Sequence, residues 1–254
     1  MLSGRFRRKT MRWIYLSPHL DDAVLSCGGL IFEQARQGLQ PEIWTIFAGD
    51  APDGPLSPLA LRCHSDWGIP DPHQLVAARR DEDLAAAAIL GADTAHFGLP
   101  DCIYRRDANG ELLYTEEVFV PIHPFDSGLD ADIAGALVAE LTPDDRVVAP
   151  LAVGDHLDHR LVRMAAERLQ RPLSFYADIP YVINAPEKLA PASLGMQAHL
   201  YPVSDQGLQA WQTAAAAYRT QMFMLFQTEE NMRLALQTVW ESRRGICLYY
   251  YQKP

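Results

Sequence analysis

The sequence has no apolar run approaching the roughly 20 residues needed to cross a bilayer, so no transmembrane segment is predicted. It also lacks net positive charge. At a formal −10 it is a poor general nucleic-acid binder, since such proteins must displace phosphate counterions with basic surface. It has no C-x-x-C pair: Cys27, Cys63, Cys102 and Cys247 are scattered, which argues against a disulfide framework and makes the cytoplasm the expected compartment. Neither a G-x-G-x-x-G nor a Walker pattern is present, and Cys27-Gly28-Gly29 falls inside a predicted helix, where it reads as a close-packing device. Basic residues do cluster at Arg5, Arg7, Arg8, Lys9 and Arg12. With no apolar segment of signal-peptide length before Pro18, they read as a solvated tail rather than a secretion signal, with a patch for anionic lipid or a partner as the alternative. There is no internal repeat and no low-complexity stretch.

What is present is an alternation of short apolar runs and helical periodicity. Residues 13–16, 42–48, 94–99, 146–151 and 173–179 read as strands. Helices are predicted after the first strand (Val24, Gly28, Ile31, Phe32 and Ala35 in register) and over 79–90, 133–141 and 157–169. Strands alternating with helices predict an α/β fold: a Rossmann-like, mostly parallel sheet with helices on both faces. Residues 50–73, rich in proline, and 102–128 read as irregular loops, long enough to suggest functional insertions. After Pro180 the rhythm changes to one long helix over 206–226, another over 229–241, and an aromatic tail at 248–251. The simplest organisation is a single domain over 1–254: residues 1–11 flexible, 12–180 an α/β core, and 181–254 an extension packing on the core and pocket. The loops 50–78 and 102–128, with the C-terminal segment, are expected to wall that pocket.

Two clusters carry the chemistry: Pro18-His19-Leu20-Asp21-Asp22 and Gly154-Asp155-His156-Leu157-Asp158-His159. Each closely follows a predicted strand. Parallel strands would deliver both to the same sheet edge, where open α/β sheets hold their ligands. His19 and Asp22 are three residues apart, as are His156 and His159, so each pair can share one helical face. Two imidazoles and a carboxylate with an open position form the usual ligand set of a catalytic zinc hydrolase, leaving one carboxylate and one histidine for proton transfer and oxyanion binding. The bland alternative is capping, with Asp21, Asp22 or Asp155 bonding helix N–H groups. That alternative is hard to extend to both clusters at once, because acids buried side by side need a cation to balance them. The same ligand types suit Fe(II), so a non-haem iron oxygenase is the second enzymatic reading; an adjacent Asp21 is something an oxygenase does not need. His64, His73, His96, His123 and His199 lack ligand spacing and read as surface or core residues.

On these residues the chain resembles the PIG-L/LmbE-like deacetylases, zinc enzymes that remove acetyl groups from N-acetylglucosamine-containing molecules. The pattern P-H-x-D-D stands here as residues 18–22, running on into Val24-Leu25-Ser26-Cys27-Gly28-Gly29, and H-x-D-H stands as residues 156–159 behind Pro150. Arg79-Arg80-Asp81-Glu82, Leu90-Gly91 and Leu99-Pro100-Asp101 extend the likeness, so that it covers 12–180. Leu20 and Leu157 stand where proline is commoner, and Ala23 replaces a frequent glutamate; none of these is a ligand. The resemblance implies His19, Asp22 and His159 as ligands of one Zn2+ per chain, with Fe2+ or another divalent metal as alternatives. It implies Asp21 as general base, His156 as the residue that steadies the oxyanion and is, with Asp21, a candidate to protonate the departing amine, Asp158 as an orienter of an imidazole, and Arg79 and Asp101 at a sugar-binding rim. The activity it implies is N-deacetylation of an acetamido sugar or sugar-linked small molecule. The alternatives are another metal-dependent amidase and a non-catalytic sugar-binding protein on the same fold.

Overall fold

In the computed structural model, which describes residues 11–252, each parallel strand is followed by a helical crossover. The elements run β1 (Arg12–Ser17), α1 (Asp22–Arg36), β2 (Gln40–Thr45), α2 (Pro58–Trp67), α3 (Pro72–Leu90), β3 (Asp93–His96), α4 (Leu129–Glu140), β4 (Arg146–Pro150), α5 (Leu157–Glu167) and β5 (Leu173–Tyr176). Beyond these come α6 (Tyr181–Asn184), α7 (Leu189–Ala192), β6 (Met196–Pro202), α8 (Asp205–Ala215), α9 (Arg219–Phe226), α10 (Glu229–Arg243) and β7 (Gly245–Tyr251). One seven-stranded sheet has the order β3-β2-β1-β4-β5-β7-β6; its first five strands are parallel, and β7 runs antiparallel to both β5 and β6.

The period-two alternation of β1 divides the core. Ile14 and Leu16 pack on the face covered by α2, α4 and α5, whereas Trp13 and Tyr15 pack on the face covered by α1, α3, α8 and α10. Strand order reverses between β1 and β4, which pair directly (Ile14 with Val147, Tyr15 with Val148). The chain leaves both strands at that point, so the two clusters emerge side by side at the carboxyl edge.

α1 lies against α8 through Gly28 and Gly29. The indole of Trp211 on α8 is fully buried, and its Nε1 donates to the carbonyls of Val24 and Leu25. A Cβ on Gly28 would stand 2.5 Å from Trp211 Cδ1. Gly28→Ala is therefore expected to cost about 1–3 kcal/mol in chemical denaturation, as an overpacked helix interface does.

Several sequence expectations change here. The proline-rich stretch 50–73 contains α2 and the start of α3, because Ser57 and Asp71 cap helices whose first residues, Pro58 and Pro72, suit a position needing no amide hydrogen. The single helix expected over 206–226 is two, broken at 216–218. Tyr218 leaves helical geometry to bury its ring and donate to Asp83 Oδ1 at 2.6 Å, while Glu82 takes the Thr220 amide at the start of α9. Strand β6 was not foreseen. All its residues are at least partly exposed, so no buried face imposes an apolar alternation. The aromatic tail lies in β7, and its end reaches the opposite edge, where Tyr250 and Tyr251 border a groove with Trp13, Arg171 and Leu173. Arg12 pairs with Asp145 and Glu42; Arg5, Arg7, Arg8 and Lys9 lie outside the described residues. Among the described residues no helix is long and apolar enough to cross a membrane.

Candidate metal centre

The first cluster is pinned to the sheet edge by its backbone. Phe47 N–H donates to the Pro18 carbonyl at 2.9 Å, and Asp22 Oδ2 accepts the His19 amide at 2.8 Å. The cap of α1 is Ser17, whose Oγ accepts from Ala23 N–H at 3.0 Å. Asp21, at the N-cap position, makes no side-chain cap bond. Asp155 does not cap α5 either; it is exposed and meets Lys188. His156 takes that role, its Nδ1 accepting from the Asp158 amide at 3.2 Å. Capping thus does not explain Asp21.

The Asp22 carboxylate sits between two imidazoles. Its Oδ2 is 3.3 Å from His19 Nδ1 and its Oδ1 is 3.4 Å from His159 Nε2. These three residues offer ligand atoms that all lie within 4.8 Å of one another. Each imidazole is held from behind by a further carboxylate: Asp158 Oδ2 is 3.0 Å from His19 Nε2, and Asp178 Oδ1 is 2.6 Å from His159 Nδ1. Carboxylate–histidine pairs of this kind fix the ring tautomer and raise ligand basicity in metal sites. His159 Nε2 is buried without a hydrogen-bond partner, an uncommon state for a native polar atom and one that a cation would satisfy.

The charge count favours the same occupant. Asp21, Asp22, Asp101, Asp158 and Asp178 gather here around the guanidiniums of Arg79 and Arg105, the second of which also serves Asp126, so the carboxyl groups outnumber the permanent positive charges. Burial opposes the charged forms of His19 and His159. The carboxylates around them win, those of Asp101, Asp158 and Asp22 for His19 and those of Asp22 and Asp178 for His159, and both pKa values rise. A field that holds protons on two imidazoles at that spot favours a divalent cation in their place. Burial likewise works against the Asp22 charge, but His159 and His19 more than offset it and hold the group below the usual carboxylate range.

Asp21 behaves differently from its neighbour. Burial, then the adjacent Asp22 charge, pushes its carboxyl up to about 7, against the pull of Arg79. His156 is driven well below the ordinary imidazole range by burial and by the positive charge of His19 and His159. Its ring is therefore neutral, and because Nδ1 accepts from the Asp158 amide, the ring proton resides on Nε2. That N–H has no protein acceptor among the described residues.

Asp158 is buried beneath the floor. It accepts from Arg105 Nη2 at 2.6 Å and from the Cys102 amide at 3.1 Å while holding His19, and these partners keep it well below the usual carboxylate range despite burial. Arg105 in turn donates to Asp126, so the segment 102–126 is tied to the site. Arg79 and Asp101 are brought together at 3.6 Å, with Arg79 3.9 Å from Asp21 and Asp101 3.9 Å from His19 Nε2. Arg79 also lies 5.0 Å over the Trp67 ring, which sets the end of α2 beside the site.

All eight residues singled out from the sequence converge on this edge. Four that matter were missed: Arg105, Asp178, Phe119 and Tyr181. Asp178 left a trace, an acid just beyond β5.

The family described as PIG-L, GlcNAc-PI de-N-acetylase, matches residues 14–169. A 2'-N-acetylparomamine deacetylase from Niallia circulans is 29% identical over 245 residues, covering 87% of this chain and 85% of its own length. Among solved structures, the zinc-inhibited form of a teicoplanin deacetylase superposes with a TM-score of 0.77 at 29% identity, covering 94% of this chain and 97% of that one. The A40926 pseudoaglycone deacetylase superposes with a TM-score of 0.72 at 27% identity, covering 96% of this chain and 99% of that one.

Proposed function

The chain belongs to the PIG-L family of GlcNAc-PI de-N-acetylases, and on that premise we propose that it hydrolyses the N-acetyl group of an acetamido sugar, free or carried on a larger small molecule, with Zn2+ held by His19, Asp22 and His159. The observation that carries the reading is Asp22 seated between His19 Nδ1 and His159 Nε2, each ring backed by its own carboxylate, with Asp21 alongside but outside the set. Two imidazoles and one carboxylate leave a coordination position free, as catalytic zinc sites do. When bound, the cation supplies a Lewis acid that polarises the acetyl carbonyl and acidifies water.

The remaining roles belong to side chains. Asp21, ionised, accepts a proton from the attacking water as its oxygen adds to the acetyl carbon. It returns that proton to the amine nitrogen as the C–N bond breaks, and once the second water proton follows, the products are acetate and the protonated amine. His156 Nε2–H points a neutral donor at the oxygen on which negative charge develops, and a donor of this kind is worth about 10²–10³ in kcat. Asp158 keeps the His19 ring in register, with Arg105 balancing its charge. Arg79 and Asp101, side by side at the rim, provide a fork of N–H donors and a carboxylate acceptor suited to sugar hydroxyls.

The relatives support the sugar class: one is named for 2'-N-acetylparomamine and others for teicoplanin and the A40926 pseudoaglycone. The test is acetate release by zinc-loaded protein from a panel of N-acetylglucosamine, 2'-N-acetylparomamine and N-acetylglucosaminyl glycopeptides. Release from at least one is expected, together with measurement of one zinc per chain by elemental analysis. No release across the panel from metal-replete protein would contradict the assignment.

A further inference from the structure

Gly154 opens the second cluster, yet neither the ligands nor the base account for it. It is not in the left-handed region, so backbone conformation does not demand a glycine. Space does. A Cβ there would stand 2.3 Å from Tyr181 Cδ1 and 2.4 Å from its Cγ. The missing side chain is the seat of the Tyr181 ring.

Tyr181 begins α6, three residues beyond the Asp178 that orients His159, so one turn after β5 delivers both. Its ring meets His159 edge to face at 5.3 Å and 87°, and meets Phe119 at 6.1 Å and 78°. Phe119 in turn meets His156 at 5.8 Å, and His156 meets His159 at 5.1 Å, closing a cycle of four rings. The Phe119 ring is 54% exposed, but its backbone is anchored to α5: Leu157 N–H donates to the Val118 carbonyl at 3.1 Å and Arg160 to the Val120 carbonyl at 3.3 Å.

Within this frame the Tyr181 hydroxyl makes no hydrogen bond among the described residues. Tyr181 is half-buried, whereas the hydroxyls of the buried Tyr15, Tyr114, Tyr176 and Tyr218 each donate to a protein oxygen. A phenol carries its proton at neutral pH, so the Tyr181 hydroxyl is an O–H donor. The site therefore has two sides. Arg79 and Asp101 border Asp21 and His19, whereas Tyr181 and His156 flank His159 with two donors that lack acceptors.

We infer that Tyr181 is a catalytic residue whose hydroxyl donates, with His156 Nε2–H, to the acyl oxygen of the substrate and of the acetate product. This rests on the deacetylase reading above. Phe119 keeps the Tyr181 ring upright, and Gly154 leaves room for it.

The test is Tyr181→Phe in the zinc-loaded protein, which keeps the ring and removes the donor. Acetate affinity by calorimetry is expected to weaken about tenfold. On a hydrolysed substrate kcat is expected to fall about 10²-fold with KM little changed. Zinc content and melting temperature should match the wild type. Gly154→Ala, which displaces the ring, should shift acetate affinity in the same direction. Acetate affinity and kcat within twofold of wild type would overturn the inference, as would a rise in KM alone or wild-type protein that binds no acetate. A wild type that binds acetate through Tyr181 but hydrolyses nothing would count against the proposed function and leave this donor standing.

Discussion

Asp21→Asn is expected to lower kcat by about 10²–10⁴-fold while zinc stays bound at full stoichiometry. The substitution keeps the shape and the contact with Arg79 but removes the proton acceptor, and Asp21 is outside the set of His19, Asp22 and His159. The two adjacent aspartates thus have separable duties, set by their surroundings. Asp22 is held ionised by two imidazoles, whereas Asp21 is buried next to that charge and binds its proton more tightly. A base works only when ionised, so kcat/KM should rise with pH through the Asp21 ionisation and be lost on the acid side. That ionisation is pushed up to about 7 without the cation, and a bound dication nearby must lower it, so the acid limb is expected below 7. Retained turnover in Asp21→Asn would remove the base assignment. Loss of zinc along with turnover would make Asp21 a ligand instead.

His159→Ala is expected to abolish turnover and metal binding together. It deletes a buried nitrogen that has no hydrogen-bond partner, and it strands Asp178, whose Oδ1 would lose its 2.6 Å bond deep in the core. Asp178→Asn separates the two effects. It leaves the ligand in place but weakens the carboxylate behind it, and it should cost about 10–100-fold in zinc affinity with the fold intact. Competition with a chromophoric chelator reads both variants on one scale. Equal affinity in wild type and His159→Ala would place the cation elsewhere.

The strands bearing the chemistry were the easiest part to read from the sequence. β1 and β4 are continuous buried runs in the middle of a parallel sheet, so hydrophobicity alone marks them, and the motifs at their ends follow at short range. Long-range dependences were harder. Asp178 is identified as a partner of His159 only once β5 is set beside β4, and Arg105 sits in a loop whose course depends on Asp126 and Asp158. Tyr181 carries no motif; its role appears when Gly154 is seen to make room for it. The break between α8 and α9 has the same origin. Local periodicity runs through 206–226, but Asp83 on α3 draws Tyr218 out of it, and Glu82 holds Thr220 at the start of the next helix. β6 escaped notice because a solvent-facing edge strand needs no apolar alternation.

The central claim is that one cation is held where β1, β4 and the turn after β5 meet. Anomalous diffraction at the zinc edge from crystals of the metal-loaded protein tests it most directly. The account predicts one peak per chain, about 2.0–2.2 Å from His19 Nδ1, His159 Nε2 and an Asp22 oxygen. A peak among Asp101, Cys102 and Asp158, a peak between His156 and Asp158, or none at that edge in zinc-saturated crystals would contradict it.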